Sequence, residues 1–588
     1  MFNFLSNKIH EKYVSYLVYL LLFLLGFTIL YTACVVEDAF ITFRTVDNFW
    51  QGYGLRWNID ERVMTYTHPL WMLLLVVVRG FTDNLFIGSL FLCFIFTFLT
   101  IRYLVVYKKN NFFLVLGLLG LLSSKAFIDY STSGLENSLV HFLVLTLLVQ
   151  FLIKNNKNIA VYSCIVGLIL LSRLDLIFFV LPICLYVFYF SLKHYGVKST
   201  TGRILLGAMP FIVWNIFATY YYGSFIPNTA WAKLNHGIEH KLLWHQGYLY
   251  FQQLYINDFI SFSILIFITM SLFLQKDNKL RLLGLSISIS LIYIFNIGAD
   301  YMLGRFISVY VLVGLTLLVF GKIRLNIKLI QAMILWLLLG LVAYFINNYS
   351  NLYIGFLNII LILIVFVLIN LIKGQYSDKF LKSNILLGGF LVLLLLFTID
   401  GFLIYKNPWL AYDKTGIVNE RLVYFPSNNF WQSLTRSPEP HLFYKNGLQL
   451  KQGNYPKYIV IVNIGMTAYL AGDKYHVIDP LALADPFLAQ FPVEGDWRIG
   501  HFPRKIKKEY INSIISGKNL MSNYCDHRLL DDIWLLSRLP LNHVGRLAAI
   551  VRLHTGSMHA DMLCSVKQPV SDTELVHYKF LGTWKNAN

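Results

Sequence analysis

The sequence contains little charge. Of its 588 residues, only 14% are Asp, Glu, Lys or Arg, whereas a soluble globular protein has about 25%. Apolar residues make up 57% of the chain and aromatic residues 16%. This balance excludes a soluble enzyme, a disordered chain and a fibrous protein, and it predicts an all-α membrane protein with many spans.

The sequence also lacks the common nucleotide and metal motifs. It has no Walker A motif, no GxGxxG motif and no zinc-binding pattern. ATP-driven transport and a bound nucleotide cofactor are therefore not expected. No group of ligands demands a metal, and a divalent metal ion stays an open alternative.

Charged residues are concentrated towards the C-terminal end. They occupy 36 of the 183 positions after residue 405 but only 44 of the first 405. We therefore expect a transmembrane domain over 1–405 and a soluble domain of mixed α/β structure over 406–588. In the soluble domain, residue patterns predict strands at 458–462 and 475–478 and helices at 504–516 and 527–537.

Thirteen apolar runs approach the length of about 20 residues that a helix needs to cross a bilayer. Lys and Arg are concentrated in alternate loops, 19 in one set of loops, and this placement explains the net charge of +18 without nucleic-acid binding. The positive-inside rule places the N-terminus in the cytoplasm and the C-terminal domain outside. The predicted spans are 14–33, 84–106, 112–129, 135–153, 158–172, 174–192, 204–222, 258–275, 282–298, 303–320, 329–347, 352–372 and 384–404.

The first outer loop, 34–83, contains a short apolar run at 69–81. Counting this run as a span would invert every later loop and break the charge pattern. We therefore predict that it forms an interfacial helix on the outer face.

Polar residues at membrane depth are costly and indicate function, and in this sequence nearly all of them lie on the predicted outer side. Glu37 and Asp38 follow the first span. A carboxylate at this place can act as general base towards an acceptor hydroxyl. The alternative is that the two acids only cap the surface.

Two further groups have open alternatives. Arg173 and Asp175 separate two apolar runs, and they either close a tight turn or face a polar cavity. Lys233 follows Pro227-Asn228-Thr229, and it either holds a phosphate or extends to the interface.

Asp300 and Arg305 lie in a glycine-containing segment between two predicted spans. Gly298 and Gly304 let the backbone approach a ligand closely. All four groups share one side of the membrane, which suits a substrate presented by the lipid. The same placement also suits a transporter of lipid-linked glycans.

Several motifs occur in a fixed order along the chain. The segment 37–72 contains Glu-Asp-Ala-Phe-Ile-Thr-Phe-Arg, Gly-Tyr-Gly-Leu-Arg-Trp-Asn, Glu-Arg-Val and Thr-His-Pro-Leu-Trp. Later come Gly-Leu-Glu-Asn at 134–137, Arg173-x-Asp175, Pro-Asn-Thr at 227–229 with Lys233, Gly298-x-Asp300 with Gly304-Arg305, Asp-Pro-Leu at 479–481, Asp485-Pro486 and Arg-Ile-Gly-His at 498–501. This combination resembles the membrane arabinofuranosyltransferases of the mycobacterial terminal-arabinan type and those that modify type IV pilin.

The resemblance implies a GT-C fold in the bacterial inner membrane with its active site facing the periplasm. Such an enzyme transfers D-arabinofuranose from decaprenyl- or undecaprenyl-phosphate arabinose to pilin or a surface polysaccharide. The alternatives are another sugar, mannose or amino-arabinose, on the same kind of lipid, or a non-catalytic transporter. A transporter should have polar residues through the midplane, but here they are concentrated on one face.

The resemblance also assigns expected roles to the candidate residues. Asp38 accepts the acceptor proton and Glu37 assists it. The cations expected to hold the departing lipid phosphate are Arg44, Lys233 and Arg305. The other expected donor-binding residues are Arg173, Asp175, Asp300 and His501.

The chain has six cysteines. Cys34, Cys93, Cys164 and Cys184 lie in or beside apolar runs and are typical of small core residues. Cys525 and Cys564 are the two in the soluble domain. The predicted topology exposes that domain to an oxidising compartment, so we expect them to form a disulfide. The alternative is two buried free thiols.

Overall fold

The structure is a computed structural model that describes residues 2–323, 415–435, 441–556, 558 and 575. Up to residue 323 these are helices and short connections. The helices are α1 (Phe2–Tyr31), α2 (Glu37–Trp50), α3 (Pro69–Arg79), α4 (Leu85–Tyr107), α5 (Asn111–Ser123), α6 (Lys125–Ser131), α7 (Asn137–Leu148), α8 (Ile159–Ser172), α9 (Ile177–Gly207), α10 (Met209–Tyr222), α11 (Asn228–Leu234), α12 (His240–Asn257), α13 (Phe259–Phe273), α14 (Asn278–Asn296) and α15 (Ser308–Val319).

Apolar helices make this chain a multi-pass membrane protein. In the described part of the chain, four helical segments are long and apolar enough to cross a membrane: Val14–Tyr31, Leu85–Tyr107, Leu174–Gly207 and Asn278–Asn296. Two bent pairs raise the number to six if each pair is one span. They are α5 with α6, bent by 76°, and α12 with α13, bent by 112°. The predicted all-α membrane part is confirmed.

The ten predicted spans up to residue 320 all coincide with helices. The spans 329–347, 352–372 and 384–404 lie outside the described residues, so the total of thirteen stays a prediction. Two of the connections between predicted spans contain helix. The basic stretch 193–203 lies within α9, which is interrupted at Gly196 (φ 72°), and the outer loop 223–257 contains α11 and α12. Charge marks where a chain leaves the bilayer, whereas a helix can continue into water.

The first outer loop holds two helices, α2 and α3, side by side. Proline favours the first turn of a helix, where its missing N–H has no partner to lose, and α3 begins at Pro69. Arg79 Nε lies 2.7 Å from Asp47 Oδ1, and Trp50 donates to the carbonyl of Val76 at 2.9 Å. The predicted helix at 69–81 is confirmed, and its interfacial position stays a prediction.

The C-terminal part mixes helices with two short strands, as predicted. Strands β1 (Tyr458–Val460) and β2 (His476–Ile478) pair in parallel, with Tyr458 opposite His476. The expected boundary at 405/406 lies outside the described residues. The helices of this part are α16 (Glu420–Asn428), α17 (Phe430–Thr435), α18 (Leu442–Gln452), α19 (Met466–Ala471), α20 (Lys508–Ser516), α21 (Tyr524–Ser537) and α22 (Arg546–Thr555).

The first outer loop and the C-terminal part pack together as one unit. The side-chain amide of Asn58 donates to the carbonyl of Val477 and accepts from its N–H, both at 3.0 Å, so it pairs with β2 as a third strand would. The N–H of Arg62 donates to the carbonyl of Ser537 at 2.8 Å. Buried polar groups need partners, and here each segment supplies them to the other.

One cysteine prediction can be tested directly. Cys525 is disulfide-bonded, and Cys34, Cys93, Cys164 and Cys184 are free. Cys564 lies outside the described residues, so its pairing with Cys525 stays a prediction. We expect a maleimide to label four cysteines of the denatured protein without reductant and six with it. Labelling of all six without reductant would contradict the pairing. Closing this loop of about 40 residues is worth roughly 3–4 kcal/mol.

Candidate functional site

A buried arginine lies at the centre of the candidate site. Arg305 follows α14 in the turn before α15, and its side chain is 10% exposed. Its Nη2 is 3.1 Å from Glu136 Oε1, and its Nη1 is 3.9 Å from Asp38 Oδ2 and also from Asp300 Oδ2. The structure therefore brings together Asp38, Asp300 and Arg305, which the sequence placed in one site.

A glycine makes this turn possible. Gly304 has a φ of 84°, and a Cβ there would lie 3.0 Å from the Cβ of Ala126. The N–H of Gly304 donates to the hydroxyl of Tyr250 at 3.0 Å. The left-handed conformation and the close approach both favour glycine, and they fix the backbone that carries Arg305.

Glu136, which contacts Arg305, is itself in contact with further buried side chains. Glu136 Oε2 lies 3.1 Å from His68 Nδ1, and His68 Nε2 lies 2.9 Å from Thr42 Oγ1. Sequence reasoning included His68 and Glu136 only within motifs, although a charged residue at the end of an apolar helix was a signal for Glu136.

Asp38 is the most accessible carboxylate of this group. Its side chain is 23% exposed, and within the described residues it makes no hydrogen bond. Its nearest cation, Arg305, is 3.9 Å away. Asp38 is therefore both oriented by charge and available to a substrate.

Glu37 contacts the C-terminal part, and its expected role of assisting Asp38 stays a prediction. Its Oε1 accepts from the N–H groups of Gly465 and Met466, at 2.7 and 3.3 Å, where α19 begins. Burial and the charge of Asp38 raise the pKa of Glu37 to about 8, against the two N–H donors. Glu37 thus joins α2 to the C-terminal part.

Arg44 is occupied by backbone carbonyls, and its expected phosphate contact stays a prediction. It is 2% exposed. Four of its five N–H groups donate to the backbone carbonyls of Trp57, Ala468, Gly472 and Tyr475. Arg44 therefore links α2 both to the loop at Trp57 and to the C-terminal part.

Arg173 and Asp175 form a bidentate pair that closes the turn between α8 and α9. The two bonds, from Nε and Nη2, are 3.0 and 2.5 Å long. Arg173 Nη1 also donates to the carbonyl of Arg305 at 3.4 Å, and its guanidinium lies 4.6 Å from the ring centre of Phe306. The pair thus supports the backbone of Arg305.

Lys233, in α11, and His501, in the C-terminal part, lie beside the cluster of Asp38, Asp300 and Arg305. The charge of Lys233 acts on both Asp300 and His501, and within the described residues Lys233 makes no ion pair. His501 Nε2 accepts from Arg498 at 2.6 Å, and its ring packs edge-on against Tyr301 at 4.6 Å. Burial and these two cations hold the pKa of His501 well below its usual range.

Glu420 is a carboxylate that sequence reasoning missed. It is 6% exposed at the start of α16, and the charges of Asp38, Glu37 and Asp300 all act on it. Its segment has the ordinary charge content of residues 406–588 and gave no signal. Among the described residues, no three His, Cys, Asp or Glu side chains form a metal site.

The junction beside Glu37 gives a testable prediction. A Cβ on Gly465 would lie 2.5 Å from Glu37 Oε1 and overlap its backbone oxygen. We expect Gly465→Ala to destabilise the protein by about 1–3 kcal/mol, the usual cost of overpacking. Thermal unfolding in detergent measures this loss. Gly202→Ala is the control because its Cβ meets nothing within 4 Å, and equal unfolding temperatures for both variants would contradict the prediction.

Neither a family model nor a curated protein matches the chain. Among solved structures, the chain is similar to ArnT from Cupriavidus metallidurans, crystallised bound to undecaprenyl phosphate. The two share 13% sequence identity with a TM-score of 0.45, over 79% of this chain and 86% of that chain. At this identity and score, the likeness alone establishes neither a shared fold nor a shared activity.

Proposed function

We propose that this chain is a membrane glycosyltransferase of the GT-C type. It transfers a sugar, D-arabinofuranose, from a polyprenyl-phosphate donor to pilin or a surface glycan at the periplasmic face of the inner membrane. The observation that carries the proposal is the accessible Asp38 carboxylate 3.9 Å from the buried Arg305. The choice of arabinofuranose rests on the motifs of 37–72 and their later companions.

Asp38 supplies the proton acceptor in this reaction. It takes the proton of an acceptor hydroxyl, whose oxygen forms the new bond to C1 of the sugar. The bond from C1 to the phosphate oxygen breaks, and its electron pair leaves with the lipid phosphate. A positioned carboxylate base is worth about 10²–10⁴-fold in rate.

Lys233 is the best-placed cation for the departing phosphate. Arg305 already faces Glu136, Asp38 and Asp300, and Arg44 is occupied by backbone carbonyls. A cation in a site with little water stabilises developing negative charge strongly. Arg305 instead fixes the orientation of the acids.

A donor panel tests the proposal. The purified protein is given undecaprenyl-phosphate arabinofuranose, mannose or amino-arabinose together with pilin or surface glycan, and transfer is followed by mass spectrometry. We expect transfer from the arabinofuranose donor alone. A deletion strain should lose the same sugar from its surface and regain it with the wild-type chain but not with Asp38→Asn. Unchanged surface glycans in the deletion strain would contradict the proposal.

A further inference from the structure

Glu420 is a buried carboxyl group without a full set of partners. Its side chain begins α16 and is 6% exposed. Its Oε2 is fully buried and has no hydrogen-bond partner within the described residues. Leaving a buried polar atom unpaired is costly in free energy, so an unpaired carboxyl at a candidate site indicates a ligand that pairs with it.

The electrostatic surroundings place Glu420 in the same cluster as Asp38. Burial, then Asp38, Glu37 and Asp300, raise its pKa well above the usual range, and Arg498 only partly opposes them. Several carboxyl groups in one site do not all ionise. The raised pKa favours the protonated form of Glu420, and a protonated carboxyl group offers both an O–H donor and a carbonyl acceptor.

The backbone around Glu420 is fixed on both sides. Before it, the N–H of Val418 donates to the carbonyl of Tyr301 at 2.7 Å, and the carbonyl of Val418 accepts from Leu303 at 3.0 Å. After it, Arg421 Nε lies 3.0 Å from Asp129 Oδ1. The two hydrogen bonds of Val418 join this backbone to the segment that carries Asp300 and Arg305. They therefore fix the position of Glu420 relative to those two residues.

We propose that Glu420 binds a hydroxyl group of the donor sugar, so that the C-terminal part contributes a sugar-contacting residue. This inference rests on the proposed function. A phosphate is the wrong partner for Glu420 because carboxyl groups surround it. A sugar hydroxyl both donates and accepts, so it can pair with the buried Glu420 Oε2 in either protonation state of the carboxyl group. In this arrangement Lys233 contacts the phosphate and Glu420 contacts the sugar.

A comparison of two lipids separates these contacts. The full-length protein in detergent is titrated with undecaprenyl-phosphate arabinofuranose and with undecaprenyl phosphate, which has no sugar. We expect Glu420→Ala to raise the dissociation constant of the sugar-bearing lipid about 10- to 100-fold, the effect of losing one or two hydrogen bonds, and to leave that of undecaprenyl phosphate unchanged. Glu420→Gln keeps a donor and an acceptor, and it should restore most of the affinity. Lys233→Ala should weaken both lipids.

Glu494 provides the matched control. It is another glutamate of the C-terminal part, 43% exposed and 2.6 Å from the exposed Lys505. Glu494→Ala should bind both lipids as the wild type does. If Glu420→Ala does not fold, Glu420→Asp, which shortens the side chain by one methylene, carries the same test with the same expected selectivity.

Two results would overturn the inference. One is that the Glu420 variants bind the sugar-bearing lipid as tightly as the wild type. The other is that they weaken both lipids equally. In either case the proposed function stands as long as the wild type binds both lipids. If the wild type binds neither lipid, the proposed function fails and the inference fails with it.

Discussion

Replacing Asp38 by Asn is expected to lower the turnover number about 10²–10⁴-fold, the range that a positioned general base contributes. Asn has the same shape but does not accept a proton. Asp38 is 23% exposed and 3.9 Å from Arg305, so the substitution leaves the packing of α2 intact. Donor affinity and the unfolding temperature should therefore stay at their wild-type values. Steady-state transfer, donor titration and thermal unfolding measure the three quantities.

Asp47 offers a closely matched control on the same helix. Its side chain is also 23% exposed, and it pairs with Arg79 at 2.7 Å. Asp47→Asn should change turnover less than about threefold, because an exposed ion pair is worth only about 1 kcal/mol or less. Equal turnover for the Asp38 and Asp47 variants would remove Asp38 from the role of base.

Replacing Arg305 by Met is expected to destabilise the protein by about 3–5 kcal/mol, the usual cost of leaving a buried charge unpaired. The substitution leaves two buried carboxylates without this cation. They are Glu136, which is 1% exposed, and Asp300, which is 5% exposed. Transfer activity should fall below detection, because Asp38 loses its nearest cation. Chemical unfolding in detergent measures the first effect and sugar transfer the second.

A second substitution separates these two effects. Adding Glu136→Gln to Arg305→Met removes one of the stranded charges, so it should restore about 1–3 kcal/mol of stability, the coupling expected of residues in contact. Activity should not return. Arg79→Met, whose pairs are partly exposed, is the control and should cost less than about 1 kcal/mol. Wild-type stability of the Arg305→Met variant would contradict the central place of this arginine.

The convergence of Asp38, Asp300 and Arg305 was predictable from the sequence. Each is a charged residue near the end of an apolar run, and a charge in such a place needs a partner. With few charges near the ends of these runs, the possible partners are few. The helices were predictable for a similar reason, because hydropathy directly measures what the bilayer selects.

The roles of Glu37 and Arg44 were not predictable in the same way. Their partners are backbone groups of Gly465, Ala468 and Tyr475, more than 420 positions along the chain. A backbone N–H or carbonyl has no side-chain signature, so no pattern of residue types reveals the contact. Glu420 was not predicted as a site residue because a glutamate in a segment of ordinary charge content gives no signal. Only the packing shows that it is buried.

The pairing of Asn58 with Val477 has a consequence for the synthesis of the chain. The two residues are 419 positions apart. At the usual pace of about 5–20 residues per second, a ribosome needs roughly 20–80 s to bridge that distance. During this time the first outer loop has none of its later partners, and water must hydrate its amide and guanidinium groups. A nascent chain therefore cannot form this contact until residue 477 has been synthesised, and a chain terminated before that residue would lack it.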